Sequence, residues 1–378
     1  MTMRSVNPAT GEIIKEYEKT SSKEVERIIS QAADAQKLWK ETPFSHRTEL
    51  MEGASDQLRK RKDELAELMA LEMGKPLAQG RGEAEKCAWV CDYYAEHAEE
   101  FLREEPAETD AAKSYVAYKP LGAVLAVMPW NFPFWQVFRF AAPNLMAGNV
   151  GLLKHASNVP GCALAIQDVF RDAGFPEGVF ATLLVGGDQV EPIIQNPHIR
   201  ACTLTGSTPA GQAVAEASGR ALKKTVLELG GSDPYLILED ADLPAAAKTC
   251  ATSRLINSGQ SCIAAKRFLV VESVYQQFTD LLVEAMSQHK MGDPLKEGID
   301  VGPQARADLR DDLHRQVQES VEKGAEILLG GSPSSGPGAF YPPTVLKDVT
   351  KGMPAFDEGL LGPVAAVVPV RAQQHPVE

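Results

Sequence analysis

From residue 123 onward, short apolar runs alternate with helical stretches, and this rhythm constrains the fold more than any other feature of the chain. Apolar runs occupy 123–128, 150–153, 180–185, 201–204 and 225–229, with helical patterns near 136–146, 161–173 and 209–220 between them. A strand buried on both faces reads as a continuous apolar run, and intervening helices cover the two faces of a parallel sheet. The pattern predicts an α/β protein built on parallel strands. A second alternating region follows. It has a helix near 243–256, a strand at 268–271, helices at 275–289 and 309–323, strands at 327–329 and 364–370, and an exposed Pro/Gly loop at 330–343.

The first hundred residues read as helical. Ser21 to Glu24 fits a capping box with a run to Lys40 behind it, a second helix spans 46–73 and stops at Gly74 before Pro76, and a third covers 83–101. Residues 114–118 read as a strand with little to pair with locally. A length of 378 residues implies two or three domains.

Charge and composition remove several function classes. Lysine and arginine number 38 against 51 aspartates and glutamates, a net charge of −13 that argues against nucleic acid or an anionic membrane as main partner. The most apolar stretch, 122–140, is interrupted by Pro129, Asn131, Pro133, Gln136 and Arg139, so it does not read as a membrane span. The first residues, MTMRSVNPATGE, lack the apolar core of a secretory signal. The six scattered cysteines read as reduced thiols, which makes the cytoplasm the expected location.

Several generic motifs are missing. There is no G-x-G-x-x-G, and Gly206 to Gly211 begins like a phosphate loop but continues with Gln212-Ala213 where Lys and Ser or Thr are needed. No HExxH and no paired CxxC occurs, and Cys87 and Cys91, one helical turn apart, read as buried helix residues, so no metal is expected. Four other segments can carry chemistry. Thr205-Gly206-Ser207-Thr208 follows a strand and opens a helix, where free N–H groups and the helix dipole can hold a pyrophosphate or where Ser207 is simply a cap. Cys262 sits in the polar turn Gly259-Gln260-Ser261-Cys262, suited to a nucleophile, although most cysteines are inert. Glu228 ends an apolar strand, where partly apolar surroundings would raise its pKa for general-base work, or where it forms a rim salt bridge. Asn131, in Pro129-Trp130-Asn131-Phe132-Pro133, offers an amide donor to an oxyanion or belongs to a rigid aromatic turn.

Taken together, these segments resemble the aldehyde dehydrogenase superfamily. The likeness runs through PWNFP at 129–133, GNVGLLKHAS at 148–157, TGST at 205–208, LELGG at 227–231, GQSC at 259–262 and LGPV at 361–364, in the family order. Within the superfamily the chain looks most like the short succinate-semialdehyde dehydrogenases. The resemblance implies a Rossmann-type NAD(P)-binding domain over 1–109 and 121–229, an oligomerisation strand over 110–120 and an α/β catalytic domain over 230–378, and it implies homodimers or homotetramers. It also implies residue roles. Cys262 would be the nucleophile, Asn131 and the Cys262 N–H the oxyanion site, and Glu228 the base that activates the deacylating water. Trp130, Lys154, Gly206, Ser207 and Leu229 would hold the dinucleotide. Ser157 stands where NAD-selective relatives often carry a Glu for the ribose, which implies NADP with NAD also accepted. Arg139 matches a carboxylate-binding Arg of succinate-semialdehyde enzymes, with a helix salt bridge as the other reading. A second such Arg would fall at Ile256, while Arg254 lies two residues away.

Two departures accompany the likeness. Gly359 stands where the family carries a Glu for the nicotinamide ribose, and Leu361 stands where it carries a Phe. Relatives continue beyond Glu378, and the polar run 371–378 looks unlike their continuation, as expected of a truncated chain. These departures support a second reading, an inactive relative retaining only dinucleotide or subunit binding. A third reading is a thiol esterase that acylates Cys262 without a cofactor.

Overall fold

The computed structural model describes residues 2–371; the polar run over 372–378 lies outside them. The chain divides into two compact units, one containing Lys15–Leu68 and Gly80–Leu229 and the other containing Val6–Ile14, Met69–Gln79 and the chain from Gly230 onward.

The first unit is built on five parallel strands. In spatial order they are Phe180–Thr182, Val150–His155, Ala123–Met128, Ile199–Thr205 and Lys224–Glu228. The chain moves outward from Ala123–Met128 on one side, then returns to build Ile199–Thr205 on the other. The crevice between these two strands is therefore the topological switch point, where ligands bind at carboxyl ends in open α/β sheets. The helix Trp135–Met146 packs Phe138 on Phe170 of the helix Pro160–Asp172, with ring centroids 5.1 Å apart, and Phe175 and Phe180 complete the cluster. Burying each such ring contributes about 2–3 kcal/mol. Trp39 ends the helix Ser22–Trp39 fully buried, and its indole N–H donates to the Leu145 carbonyl at 3.0 Å.

The second unit carries a mixed five-stranded sheet in the order Pro234–Ile237, Arg267–Val271, Val364–Val370, Thr344–Lys347, Glu326–Leu329. All neighbours are parallel except the last pair. Its core gathers Phe268, Phe278, Leu282, Met286, Val345 and Val367.

Several local expectations need correction. The helix read over 46–73 is two helices, Phe44–Lys60 and Lys62–Met73, because Arg61 leaves helical geometry (φ −102°, ψ 9°). The third helix starts earlier, at Leu77. The strand read over 114–118 does have a local partner: Tyr115–Val116 pairs antiparallel with Glu105–Pro106, and the Ala107 N–H donates to the Ser114 carbonyl at 2.9 Å. An N-terminal pair of strands, Thr2–Val6 and Ile13–Glu18, lies in the stretch read as helical. Its second strand is exposed on both faces, so no apolar alternation marks it. Among the described residues no helix is long and apolar enough to cross a membrane.

Candidate active site

In the first unit the candidate residues converge on one edge of the sheet. Lys154 lies near the end of its strand in register with Val127, and Glu228 ends its strand opposite Thr205. Asn131 follows the end of Ala123–Met128, and Gly206 and Ser207 follow Ile199–Thr205. Five predicted positions thus gather at the carboxyl ends of parallel strands, because each lies at the end of an apolar run or just past it. The Gly206 N–H donates to the Glu228 carbonyl at 3.0 Å, tying the turn suited to phosphate to the strand that carries the candidate base. Ser207 caps the helix Thr208–Arg220, its hydroxyl accepting from the Ala210 N–H. Leu229 packs against Gly211, where a Cβ would lie 2.5 Å from the leucine Cδ2.

The Trp130–Asn131 turn is held from two directions that the sequence reading missed. Glu83, only 5% exposed, accepts the backbone N–H groups of Phe134 and Trp135, each at 2.9 Å. A carboxylate there satisfies donors at the start of the helix Trp135–Met146, which has no capping side chain of its own. On the other side the His155 Nε2–H donates to the Pro133 carbonyl at 2.9 Å, while Nδ1 accepts the Ala156 N–H at 2.8 Å. Burial pushes the His155 imidazole down to about 4, so the ring is neutral and this tautomer satisfies both neighbours. Asn131 itself is 8% exposed.

Arg139 projects from the same helix toward Glu228. Its Nη2 donates to the Thr205 hydroxyl at 3.0 Å and stands 3.8 Å from the Glu228 carboxylate. These three residues line a cavity of about 560 Å³ whose walls include Met128, Phe140 and Val226. Glu228 is 59% exposed at its side chain, so the partly apolar surroundings expected from sequence are instead solvent on one side and a guanidinium on the other. Lys154 is partly buried, and burial pushes its ammonium below the ordinary value against the pull of Asp188. Ser157 is exposed two residues past that strand's end. A cation, a capped helix N-terminus and an exposed hydroxyl on one sheet edge are a donor set that fits a dinucleotide's phosphates and ribose.

In the second unit Cys262 is partly exposed, whereas the other five cysteines are buried. Its turn is unusually constrained. Asn257, Ser258 and Gly259 all hold positive φ (54°, 56° and 75°), a conformation that costs non-glycine residues about 1–3 kcal/mol each. Surrounding groups over-determine it. Gln79 accepts the Asn257 N–H at 2.7 Å, the Ser258 hydroxyl accepts the Gly302 N–H at 2.8 Å, and the Gln260 side-chain carbonyl accepts the Ala305 N–H at 2.8 Å. Arg254 is fully buried and donates to the Gly259 carbonyl at 2.5 Å, so it supports this turn from the core rather than facing a substrate. A Cβ on Gly259 would lie 2.1 Å from the Gly362 carbonyl, so the GQSC and LGPV segments meet backbone to backbone. Lys266 donates to the carbonyls of Cys262 and Gly231, each at 2.6 Å. The carboxylate of Glu358 accepts from Gln316 at 2.8 Å, and a Cβ on Gly359 would come no nearer than 3.9 Å to Gly231. Among the described residues no group of three His, Cys, Asp or Glu could hold a metal ion.

A carboxylate at a strand end, a glycine-serine turn before a helix and a thiol on a strained, braced turn suit one class of protein, and the whole chain matches it. The model of the aldehyde dehydrogenase family matches residues 1–378, and the chain belongs to that family, whose chemistry is NAD(P)-dependent aldehyde oxidation. It is similar to the succinate-semialdehyde dehydrogenase [NADP(+)] of Mycobacterium avium (strain 104), with 50% identity over 371 residues covering 97% of this chain and 79% of that one. The succinate-semialdehyde dehydrogenase [NADP(+)] 1 of Mycobacterium bovis (strain BCG / Pasteur 1173P2) is 48% identical over 370 residues, covering 97% and 81%. Among solved structures, succinic semialdehyde dehydrogenase from Streptococcus pyogenes in complex with NADP+ superposes with a TM-score of 0.95 at 34% identity, covering 98% of this chain and 82% of that one. The two-sheet α/β fold is the aldehyde dehydrogenase fold.

Proposed function

We propose that this protein oxidises succinate semialdehyde to succinate with NADP, accepting NAD as well, through a thioester on Cys262. The observation that carries the substrate reading is the position of Arg139, whose guanidinium lines the same cavity as Glu228 and can grip a second carboxylate by two hydrogen bonds. The names of the 48–50% identical relatives support the same substrate and cofactor. Ser157 in place of an acidic residue leaves room for a 2′-phosphate. The division at 229/230 suits a cofactor-binding unit and a catalytic unit, and six free thiols suit a reducing cytoplasm.

When bound, held by Lys154, Ser157, Gly206, Ser207, Trp130 and Leu229, the dinucleotide supplies the hydride acceptor. The chain's own residues do the rest. The Cys262 sulfur adds to the aldehyde carbon. The Asn131 amide and the Cys262 N–H hold the oxyanion, each such donor being worth on the order of 10²–10³ in rate. Loss of hydride from that carbon restores the carbonyl as a thioester. Glu228 then takes a proton from water, which attacks the thioester carbon; the C–S bond breaks and the acid leaves.

The test follows reduced-nicotinamide absorbance with succinate semialdehyde and either dinucleotide, beside a Cys262→Ala control. Turnover that vanishes in the control is the expected result. A folded protein with no turnover would overturn the reading in favour of an inactive relative, and ester hydrolysis without dinucleotide would favour an esterase.

A further inference from the structure

Lys266 is buried to 2% exposure, yet it carries a charge on a side chain that a methionine could replace in volume. Its surroundings do not favour that charge. The ionisable groups acting on it are Arg254, Cys262, Asp233 and Arg267, two of them cations and only one a carboxylate. Burial, followed by the repulsion of Arg254, pushes the ammonium down to about 8. A buried cation is tolerated when its N–H groups are held by hydrogen-bond acceptors. Here those acceptors are two backbone carbonyls, one on Cys262 itself and one on Gly231, 35 residues away in sequence. The adjacent Arg267 donates to the carbonyl of Ser232, so the dipeptide Lys266-Arg267 anchors that segment at successive residues.

We propose that Lys266 is a positioning residue for the nucleophile: its ammonium fastens the Cys262 carbonyl to the Gly231 turn, sets the direction of the thiol and places a positive charge beside it. The proposal rests on the reading of Cys262 as nucleophile. The Cys262 sulfur is among the groups whose charge acts on Lys266, so ammonium and sulfur lie within electrostatic reach of each other. Removing the ammonium also leaves two carbonyls without their donor, which frees the turn to rotate. A merely structural lysine would change stability without a selective effect on Cys262.

The test measures iodoacetamide alkylation in the dinucleotide-free protein, read by mass spectrometry on the separate Cys262 and Cys250 peptides. Cys250 is buried and reports any loosening of the same unit. In Lys266→Met, Cys262 should alkylate at least about tenfold more slowly near neutral pH while Cys250 stays silent, and Lys266→Arg should stay within about threefold of the wild type. A Cys262 rate unchanged in Lys266→Met, with Cys250 silent, would overturn the proposal. Should Lys266→Met expose Cys250, Lys266→Arg decides: a rate near wild type supports the charge, and a tenfold fall with Cys250 silent overturns it. A wild-type protein with a fast-reacting Cys262 but no aldehyde turnover would defeat the dehydrogenase reading and leave this one standing.

Discussion

The Arg139 guanidinium stands 3.8 Å from the carboxylate of Glu228 and donates to Thr205 at 3.0 Å. Both ends of the ion pair are substantially exposed, and such pairs contribute only about 0–1 kcal/mol. A hydrogen-bonded grip on a desolvated substrate carboxylate is worth about 1.5–3 kcal/mol. The magnitudes therefore allow Arg139 to release Glu228 in favour of a substrate. Arg139→Ala is expected to lower kcat/KM for succinate semialdehyde by about 10–100-fold, while an uncharged aldehyde is affected far less. Steady-state kinetics on the two aldehydes check this, and an unchanged preference would return Arg139 to a structural ion pair.

Ser157 makes a separate prediction about the cofactor. A carboxylate there would bond the ribose hydroxyls of NAD and repel a 2′-phosphate. Ser157→Glu should move the ratio of kcat/KM values toward NAD by about tenfold or more, since one charge contact of this kind is worth about 1.4 kcal/mol or more. A wild-type protein that already prefers NAD tenfold would count against the basis of the prediction.

Gly259 illustrates a position where only glycine fits. Its φ is +75° and a Cβ would sit 2.1 Å from the Gly362 carbonyl, so both backbone conformation and space exclude a side chain. Gly259→Ala should cost at least about 2 kcal/mol in urea unfolding. Gly82, inside a helix with nothing within 4 Å of the place a methyl group would take, gives the opposite expectation. Gly82→Ala should be neutral or stabilising by up to about 1 kcal/mol. Similar midpoints for the two variants would contradict the packing described for the turn before Cys262.

His155 predicts an acid sensitivity with a definite sign. Its ring is pushed from 6.5 down to about 4 in the folded protein, so the unfolded chain binds the proton more readily between those values. The stabilisation is present above about pH 6.5, declines as pH falls, and by pH 4 the accumulated loss approaches about 3 kcal/mol. Urea unfolding at neutral pH and near pH 5 should show about 2 kcal/mol of this loss in the wild type, and His155→Gln should flatten it. Equal slopes in the two proteins would assign the acid sensitivity to other groups.

The α/β class, most of the strands and the strand-end or turn positions of Asn131, Lys154, Gly206, Glu228 and Cys262 are legible in the sequence. These are local properties: an apolar run declares a strand whether it ends up buried, as Ala123–Met128 does, or exposed, as Lys224–Glu228 does, and the motifs of the first unit lie at or just past the ends of such runs. The exposed strand Ile13–Glu18 has no apolar alternation to mark it, and Tyr115–Val116 reads as a strand while its partner Glu105–Pro106 does not, because pairing depends on both strands. Tertiary structure alone decided what steadies the site. Glu83 caps a helix start 51 residues away, His155 reaches Pro133, Lys266 joins Cys262 to Gly231, and Gly259 presses on Gly362. None of these pairings has a sequence period, since each satisfies a backbone group or fills a gap that exists only once distant segments have packed. Arg254 shows the same limit: in sequence it only lies two residues from the position of a second carboxylate-binding Arg, and burial makes it a brace inside the core.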